Sequence, residues 1–135
     1  MIEVKVKCIH CGKSLMDEGF EIDNHPSIKV IIEYKGKQGI LRLSSLYGSY
    51  NIDSEIDVPK GEIARFFCPH CKSDMTSSRT CYECGASMVT FECASGGYLR
   101  ICSRMGCKKH LVEFEDLETE LRAFYDAYST FFRGG

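Results

Sequence analysis

The sequence predicts an α+β protein that is mostly small antiparallel β-structure, with two cysteine-bearing β units in tandem and an amphipathic helix at the C-terminus. Three observations predict this class. The cysteines occur in close pairs. Short alternating apolar and polar segments are separated by glycine-rich turns. The last part of the chain has the apolar periodicity of a helix. A chain of 135 residues suits one compact domain or two very small ones.

The cysteine pairs predict two metal sites. All but one of the nine cysteines belong to four pairs, each closed by a short turn that we call a knuckle. Four thiolates from two knuckles form a tetrahedral cage suited to Zn²⁺. The predicted ligands are Cys8, Cys11, Cys68 and Cys71 in site 1, and Cys81, Cys84, Cys102 and Cys107 in site 2. An alternative joins the second knuckle to the third, which leaves the first knuckle to meet the fourth.

The segments between the knuckles predict strands and turns. A polar segment at 72–80 predicts a linker and an internal boundary. The strands predicted at 28–34 and 40–46 should form a hairpin, which is an insertion in the first of the two cysteine-bearing units. Strands are predicted at 2–7, 28–34, 40–46, 87–93 and 98–101, a short strand within 47–60, and turns or loops at 24–27, 35–39 and 94–97.

The knuckles resemble those of tandem zinc-ribbon proteins. The runs Cys-Ile-His-Cys-Gly-Lys-Ser-Leu-Met from Cys8 and Cys-Tyr-Glu-Cys-Gly-Ala-Ser-Met from Cys81 match at several positions, and each precedes β-structure and a closing cysteine pair. The resemblance implies ribbons at 1–74 and 75–110, a helical tail at 111–135, and one structural Zn²⁺ in each ribbon. The last pair departs from the usual spacing, with four residues between its cysteines.

Iron is the alternative metal. The knuckles at Cys8 and Cys68 are also similar to those of rubredoxins, and four thiolates suit iron or an iron–sulfur cluster as well as zinc. The absence of Trp and the long gap between these two knuckles distinguish the chain from rubredoxins. We therefore expect two Zn²⁺ ions, with a rubredoxin-like electron carrier as the alternative function.

The C-terminal segment predicts an amphipathic helix from Leu111 to Phe132. It contains no Gly or Pro, and acidic residues crowd its first turns, where the helix dipole favours them. So many aromatic rings on one face suggest a protein partner, although the same face would also suit packing on the chain's own ribbons. The apolar stripe consists of Phe114, Leu117, Leu121, Phe124, Tyr128 and Phe131.

Other chemistry-bearing residues give weaker signals. Cys93 lies on a predicted strand and is expected to be a small buried apolar side chain, and His110 is an alternative ligand for site 2. A basic patch beside the fourth knuckle is the candidate nucleic-acid contact, with neighbouring tyrosines for stacking. The patch consists of Arg100, Arg104, Lys108 and Lys109.

The expected function is that of a non-catalytic zinc-binding adaptor or accessory subunit in a larger protein complex, such as an enzyme complex. No catalytic triad spacing or phosphate-binding glycine loop is present, so we expect no enzyme activity. A transcription or translation regulator that binds nucleic acid through the basic patch is the alternative function. It is not preferred, because a net charge of −2 gives no overall attraction to nucleic acid. The alternating first residues and the lack of a long apolar run predict a cytoplasmic protein with no membrane partner.

Overall fold

A computed structural model describes residues 3–81, 83–94, 96–107 and 110–113, the last range by its backbone alone. This part of the chain contains β-strands and turns, and its strand pairs are antiparallel. The strands are β1 (Val6–Lys7), β2 (Met16–Ile22), β3 (His25–Tyr34), β4 (Lys37–Leu43), β5 (Ile52–Ser54), β6 (Arg65–Phe67), β7 (Thr76–Thr80), β8 (Ser87–Cys93), β9 (Tyr98–Cys102) and β10 (His110–Glu113).

The strands form two five-stranded sheets with the same plan. In one sheet, β3 pairs with β4 along one edge, and with β2 and β6 along successive parts of the other edge. In the second sheet, β8 pairs in the same way with β9, and with β7 and β1. The outer strands are β5 beside β4 and β10 beside β9. We call β1–β5 unit A and β6–β10 unit B.

The two units exchange their first strands. Strand β1 opens unit A but pairs with β8 of unit B, and β6 opens unit B but pairs with β3 of unit A. The strand pairing therefore crosses the boundary predicted between residues 74 and 75. Both units also contribute to one main hydrophobic core, whose fully buried members include Val6, Leu15, Ile28, Val30, Ile32, Leu41, Met75, Val89 and Phe91.

Both predicted hairpins are confirmed. Strands β3 and β4 pair over seven positions, with Lys35 and Gly36 as a two-residue turn at positive φ values of 49° and 78°. This turn is shorter than the predicted 35–39, because β4 begins at Lys37. Strands β8 and β9 form the second hairpin, and the predicted short strand within 47–60 is β5. Cys93 is buried in the main core, as expected.

Two predicted irregular segments are strands. The loop predicted at 24–27 is a turn of Asp23 and Asn24, at φ values of 57° and 64°, and β3 begins at His25 despite Pro26. The linker predicted at 72–80 ends in β7, which pairs with β8. Polar residues suit β7 because it is an edge strand that is mostly exposed. The sequence gives no apolar alternation there, so the strand signal was absent.

The C-terminal prediction is corrected at its start. Residues 111–113 were expected to begin the helix, but they belong to β10, which pairs with β9. The β-branched Val112 and the open edge of β9 favour this extended pairing. The remaining part of the predicted helix, which carries the apolar stripe, lies outside the described residues. The β part of the predicted α+β class is thus shown, and the tail stays a prediction.

Candidate metal centres

Site 1 is built from two knuckles of the same geometry. In the first, the N–H of Cys8 donates to the Lys13 carbonyl, and the N–H of Gly12 donates to the Cys8 carbonyl. In the second, Cys68 forms the equivalent bonds with Ser73 and Lys72. The fifth residue of each knuckle has positive φ, which Gly12 adopts without a Cβ penalty and Lys72 adopts at 62°. Each turn brings its two sulfurs to the same side.

The four sulfurs of site 1 have the spacing of a tetrahedral metal cage. The Sγ atoms of Cys8 and Cys71 are 3.7 Å apart, and those of Cys11 and Cys68 are 3.8 Å apart. Four sulfurs at the usual zinc–sulfur distance would lie about 3.8 Å from one another. Backbone N–H groups also donate to the two buried sulfurs, from His10 to Cys8 and from His70 to Cys68, which stabilises thiolates.

The two histidines join the knuckles of site 1 reciprocally. The His10 ring nitrogen lies 3.2 Å from the Asp74 carbonyl, just beyond the opposite knuckle. The His70 ring nitrogen lies 3.1 Å from the Ser14 carbonyl, at the equivalent position beyond the first. Each ring donates to a backbone oxygen of the other knuckle. The spacing of the cysteines does not reveal this cross-link, because each ring reaches a carbonyl about sixty residues away along the chain.

Site 2 lies wholly within unit B. The N–H of Cys81 donates to the Ala86 carbonyl, which repeats the turn of site 1. The Sγ atoms of Cys81 and Cys107 are 3.9 Å apart, and those of Cys84 and Cys102 are 3.4 Å apart. The sulfurs of each site lie within 4.8 Å of one another. The structure therefore groups the eight cysteines into the predicted sites 1 and 2. It does not join the second knuckle to the third, as the alternative pairing required.

The longer fourth knuckle is held by the chain that connects the units. Met105 donates its N–H to the Glu62 carbonyl, and Gly61 donates its N–H to the Met105 carbonyl. Ile63 and Arg104 form an isolated β-bridge beside them. Four residues separate Cys102 from Cys107. The knuckle accommodates this longer spacing because Arg104 and Met105 pair with the connecting chain.

Burial and hydrogen bonding divide the thiols of each site into two kinds. Burial raises the pKa of Cys8 to about 12, and raises the pKa of Cys102 strongly. Hydrogen bonds from Ser73 lower the pKa of Cys71 to about 6. The Ala86 N–H and the Arg104 guanidinium lower the pKa of Cys84 to about 6. Each site thus presents a thiolate at neutral pH, and its buried thiols would release protons when metal binds.

Arg104 provides a test of this electrostatic arrangement. In Arg104→Gln, the pKa of Cys84 should rise because the guanidinium no longer stabilises the thiolate. Protons then compete with metal at higher pH, so site 2 should release its metal at a higher pH than in the parent protein. A chelating dye followed during acid titration measures the release, and Arg65→Gln, which removes the ion pair with Asp74 instead, is the matched control. Unchanged release in Arg104→Gln would contradict the assignment.

The basic patch is partly occupied by contacts within the chain. Arg104 donates to the Gly61 carbonyl at 2.7 Å and hydrogen bonds to Cys84. The Arg100 guanidinium is 5.1 Å from the centre of the Tyr98 ring. Lys108 and Lys109 lie outside the described residues, as do the six residues of the apolar stripe.

An apolar groove of about 220 Å³ runs beside site 2, between the two units. Leu41 and Leu99 contribute to its lining from opposite sheets, and Cys102 and Cys107 of site 2 also line it. The exposed side chains of Tyr47, Tyr50 and Ile52 line it from unit A.

No family model, curated protein or solved structure matches this chain. The two groups of four cysteines in a small antiparallel β structure are compatible with tandem zinc ribbons. Among the described residues, no helix of the length and apolarity needed to cross a membrane is found.

Proposed function

We propose that this protein is a zinc-stabilised, non-catalytic adaptor that assembles with a protein partner. The observation that carries the proposal is the closure of both cysteine groups, since each offers four thiol ligands at tetrahedral spacing. A zinc ion so enclosed has no position left for water or substrate, and therefore does not act as a Lewis acid. Its contribution is to the folding of the module.

The proposed docking surface is the apolar stripe of the C-terminal segment. Its six residues recur at steps of three and four, so a helix would place them on one face. A row of three phenylalanines, two leucines and one tyrosine is the composition of a protein interface, not of a nucleic-acid interface. The strand β10 supports the proposal because it anchors the start of this segment to the sheet beside site 2.

Removing the segment tests the proposal. A chain that ends at Glu113 retains β10 and every cysteine, so it should keep two metal ions and its fold while losing the partner in a pull-down from the native cells. Metal content and melting are measured on the same samples. Loss of metal and fold in the truncated chain would show instead that the segment belongs to the chain's own core.

A point variant sharpens the same test. Phe124→Asp places a charge in the middle of the stripe and should weaken partner binding at least tenfold, because a buried charge without a partner is costly. Thr119→Asp adds the same charge on the opposite face of the predicted helix and is the matched control. Equal partner recovery from both variants would contradict the docking surface.

The nucleic-acid alternative has weaker support. Two of the four patch residues, Arg100 and Arg104, already contact Tyr98 and Gly61. Phosphate binding at Arg104 would have to compete with its hydrogen bond to the Gly61 carbonyl. Nuclease treatment of the pull-down separates the two functions: recovery that survives it supports the adaptor, and recovery that is lost, with a steep dependence on salt, supports nucleic-acid binding.

Four thiolates suit either zinc or iron. Zinc is proposed because the chain lacks Trp and has a long gap between the knuckles at Cys8 and Cys68, which distinguishes it from rubredoxins. Elemental analysis of the purified protein distinguishes the metals, since a tetrathiolate zinc protein is colourless. A red or brown protein with stoichiometric iron would contradict the zinc-adaptor proposal and support the function of an electron carrier.

A further inference from the structure

The two units match strand for strand. In each unit, the first strand pairs with the sheet of the other unit. A knuckle of site 1, a long hairpin and an outer strand follow along the chain. The irregularities are similar too: the pairing of β2 with β3 has a register shift between Asp17 and Glu21, and the pairing of β7 with β8 has one between Thr76 and Thr80. This repeat aligns the Cys8 knuckle with the Cys68 knuckle. It differs from the match between the Cys8 and Cys81 runs that the sequence suggested.

The loop after the central hairpin matches at the level of single hydrogen bonds. In unit A, the N–H of Val4 donates to the Ser45 carbonyl, and the N–H of Ser49 donates to the Leu46 carbonyl. In unit B, Ala64 donates to Ser103, and Cys107 donates to Arg104. A glycine precedes the last residue in both loops, Gly48 at φ 93° and Gly106 at φ 86°.

This correspondence places serines of unit A where unit B has metal ligands. Ser44 corresponds to Cys102: the N–H of Leu46 donates to the Ser44 hydroxyl at 3.2 Å, as the N–H of Arg104 donates to the Cys102 sulfur at 3.5 Å. Ser49 corresponds to Cys107 by the bond given above.

The turn that faces this loop corresponds as well, and we call the loop and the turn together the corner of the unit. Asp23 directly follows β2, as Cys81 directly follows β7. Unit B then makes a knuckle before β8, whereas unit A makes a two-residue turn into β3. Unit A therefore has a shorter connection and no cysteine at this corner.

A carboxylate occupies the centre of the unit A corner. Asp23 accepts hydrogen bonds from the hydroxyls of Ser44 at 2.7 Å and Ser49 at 2.6 Å, and from the Asn51 amide at 2.8 Å. These bonds lower the pKa of Asp23 below its ordinary value. In site 2, four thiolates would surround a cation; here, three neutral donors surround an anion. The corresponding loops are therefore joined in both units, around a central cation in site 2 and around a central anion in the unit A corner.

We propose that the corner formed by Asp23, Ser44, Ser49 and Asn51 is the metal-free counterpart of site 2. The chain thus follows a plan with three metal positions: site 1 between the units, site 2 in unit B, and an equivalent position in unit A that a hydrogen-bonded carboxylate has replaced. The unit A corner is closed without metal, and the geometry of the position still suits a zinc site when its ligands are supplied.

A graft tests the proposal directly. Asp23-Asn24 is replaced by the sequence of residues 81–86, Cys-Tyr-Glu-Cys-Gly-Ala, together with Ser44→Cys and Ser49→Cys. The variant should bind three zinc ions per chain, where the parent protein binds two. The control carries the same graft but keeps both serines; it offers two thiols at the corner and should bind two ions. A graft that folds and still binds only two ions would overturn the proposal.

A measurement without the graft covers the case in which that variant fails to fold. In Cys81→Ser, metal is lost from site 2, and the amides of Arg104 and Cys107 should lose protection from hydrogen exchange. The corresponding amides of Leu46 and Ser49 should keep theirs, because Asp23 closes their corner. Equal loss of protection at both corners would overturn the proposal. Ser49→Ala should also raise the pKa of Asp23, measured from its carboxyl carbon resonance, and an unchanged pKa would contradict the arrangement.

Discussion

Cys8→Ser is expected to unfold both units, whereas Cys81→Ser should remove one metal and loosen one corner. Cys8 belongs to site 1, whose knuckles come from different units. The first strand of each unit leads directly into its knuckle and pairs with the other unit. Loss of the site 1 metal therefore releases the exchanged strands together. We expect Cys8→Ser to lower the free energy of unfolding by at least about 4 kcal/mol.

Site 2 contributes to a separate and smaller cluster. Its buried members are Cys81, Ala86, Met88 and Cys102, and the main core does not include them. In Cys81→Ser, the sheet pairings of β1 and β6 remain, so the melting transition should persist at a lower temperature with one metal ion bound per chain. One structural zinc in each ribbon, as the resemblance implies, would stabilise that ribbon alone. The exchange of first strands instead makes the two sites unequal.

Metal content and thermal melting decide between these expectations. Elemental analysis of folded Cys81→Ser should give one zinc ion per chain, and Cys8→Ser should give little folded protein. Cys93→Ser is the matched control for the chemical change, since Cys93 is buried but belongs to neither metal group. Equal melting temperatures for Cys8→Ser and Cys81→Ser would contradict the unequal roles of the sites.

The two groups of four cysteines could be predicted from the sequence because their information is local. Two cysteines in a short turn are recognisable without any knowledge of the fold, and only the pairing of the turns had to be inferred. The spacing did not indicate the contacts of His10 and His70, since each ring reaches a carbonyl that follows the other knuckle, far along the chain.

The repeat was harder to predict because its strongest signal is misleading. The runs after Cys8 and Cys81 are similar in sequence, yet the strand pairing aligns Cys8 with Cys68, since each of these two knuckles follows the strand that its unit contributes to the other sheet. The cysteines of site 2 have no cysteine counterpart in unit A, and the serines and Asp23 that replace them carry no motif. Strand exchange between units is also a non-local property, which the alternation of residues in β1 and β6 does not record.

Phe91→Ala is expected to destabilise both units together. Phe91 is fully buried, and its strand β8 pairs with strands from both units. Truncating a buried phenylalanine leaves a cavity and costs about 3–5 kcal/mol.

Guanidinium denaturation followed by circular dichroism and by the amide resonances of each unit measures this effect. Because Val30 and Ile32 of unit A belong to the same core as Phe91, we expect one transition at a lower midpoint, shared by the resonances of β3 and β8. Tyr98→Ala removes an exposed ring from the neighbouring strand and should cost no more than about 1 kcal/mol. If the β3 resonances kept the parent midpoint while those of β8 shifted, the two units would have independent cores. A shared midpoint would show that the two units unfold as one cooperative body, as expected from the exchanged first strands and from the common core around Phe91.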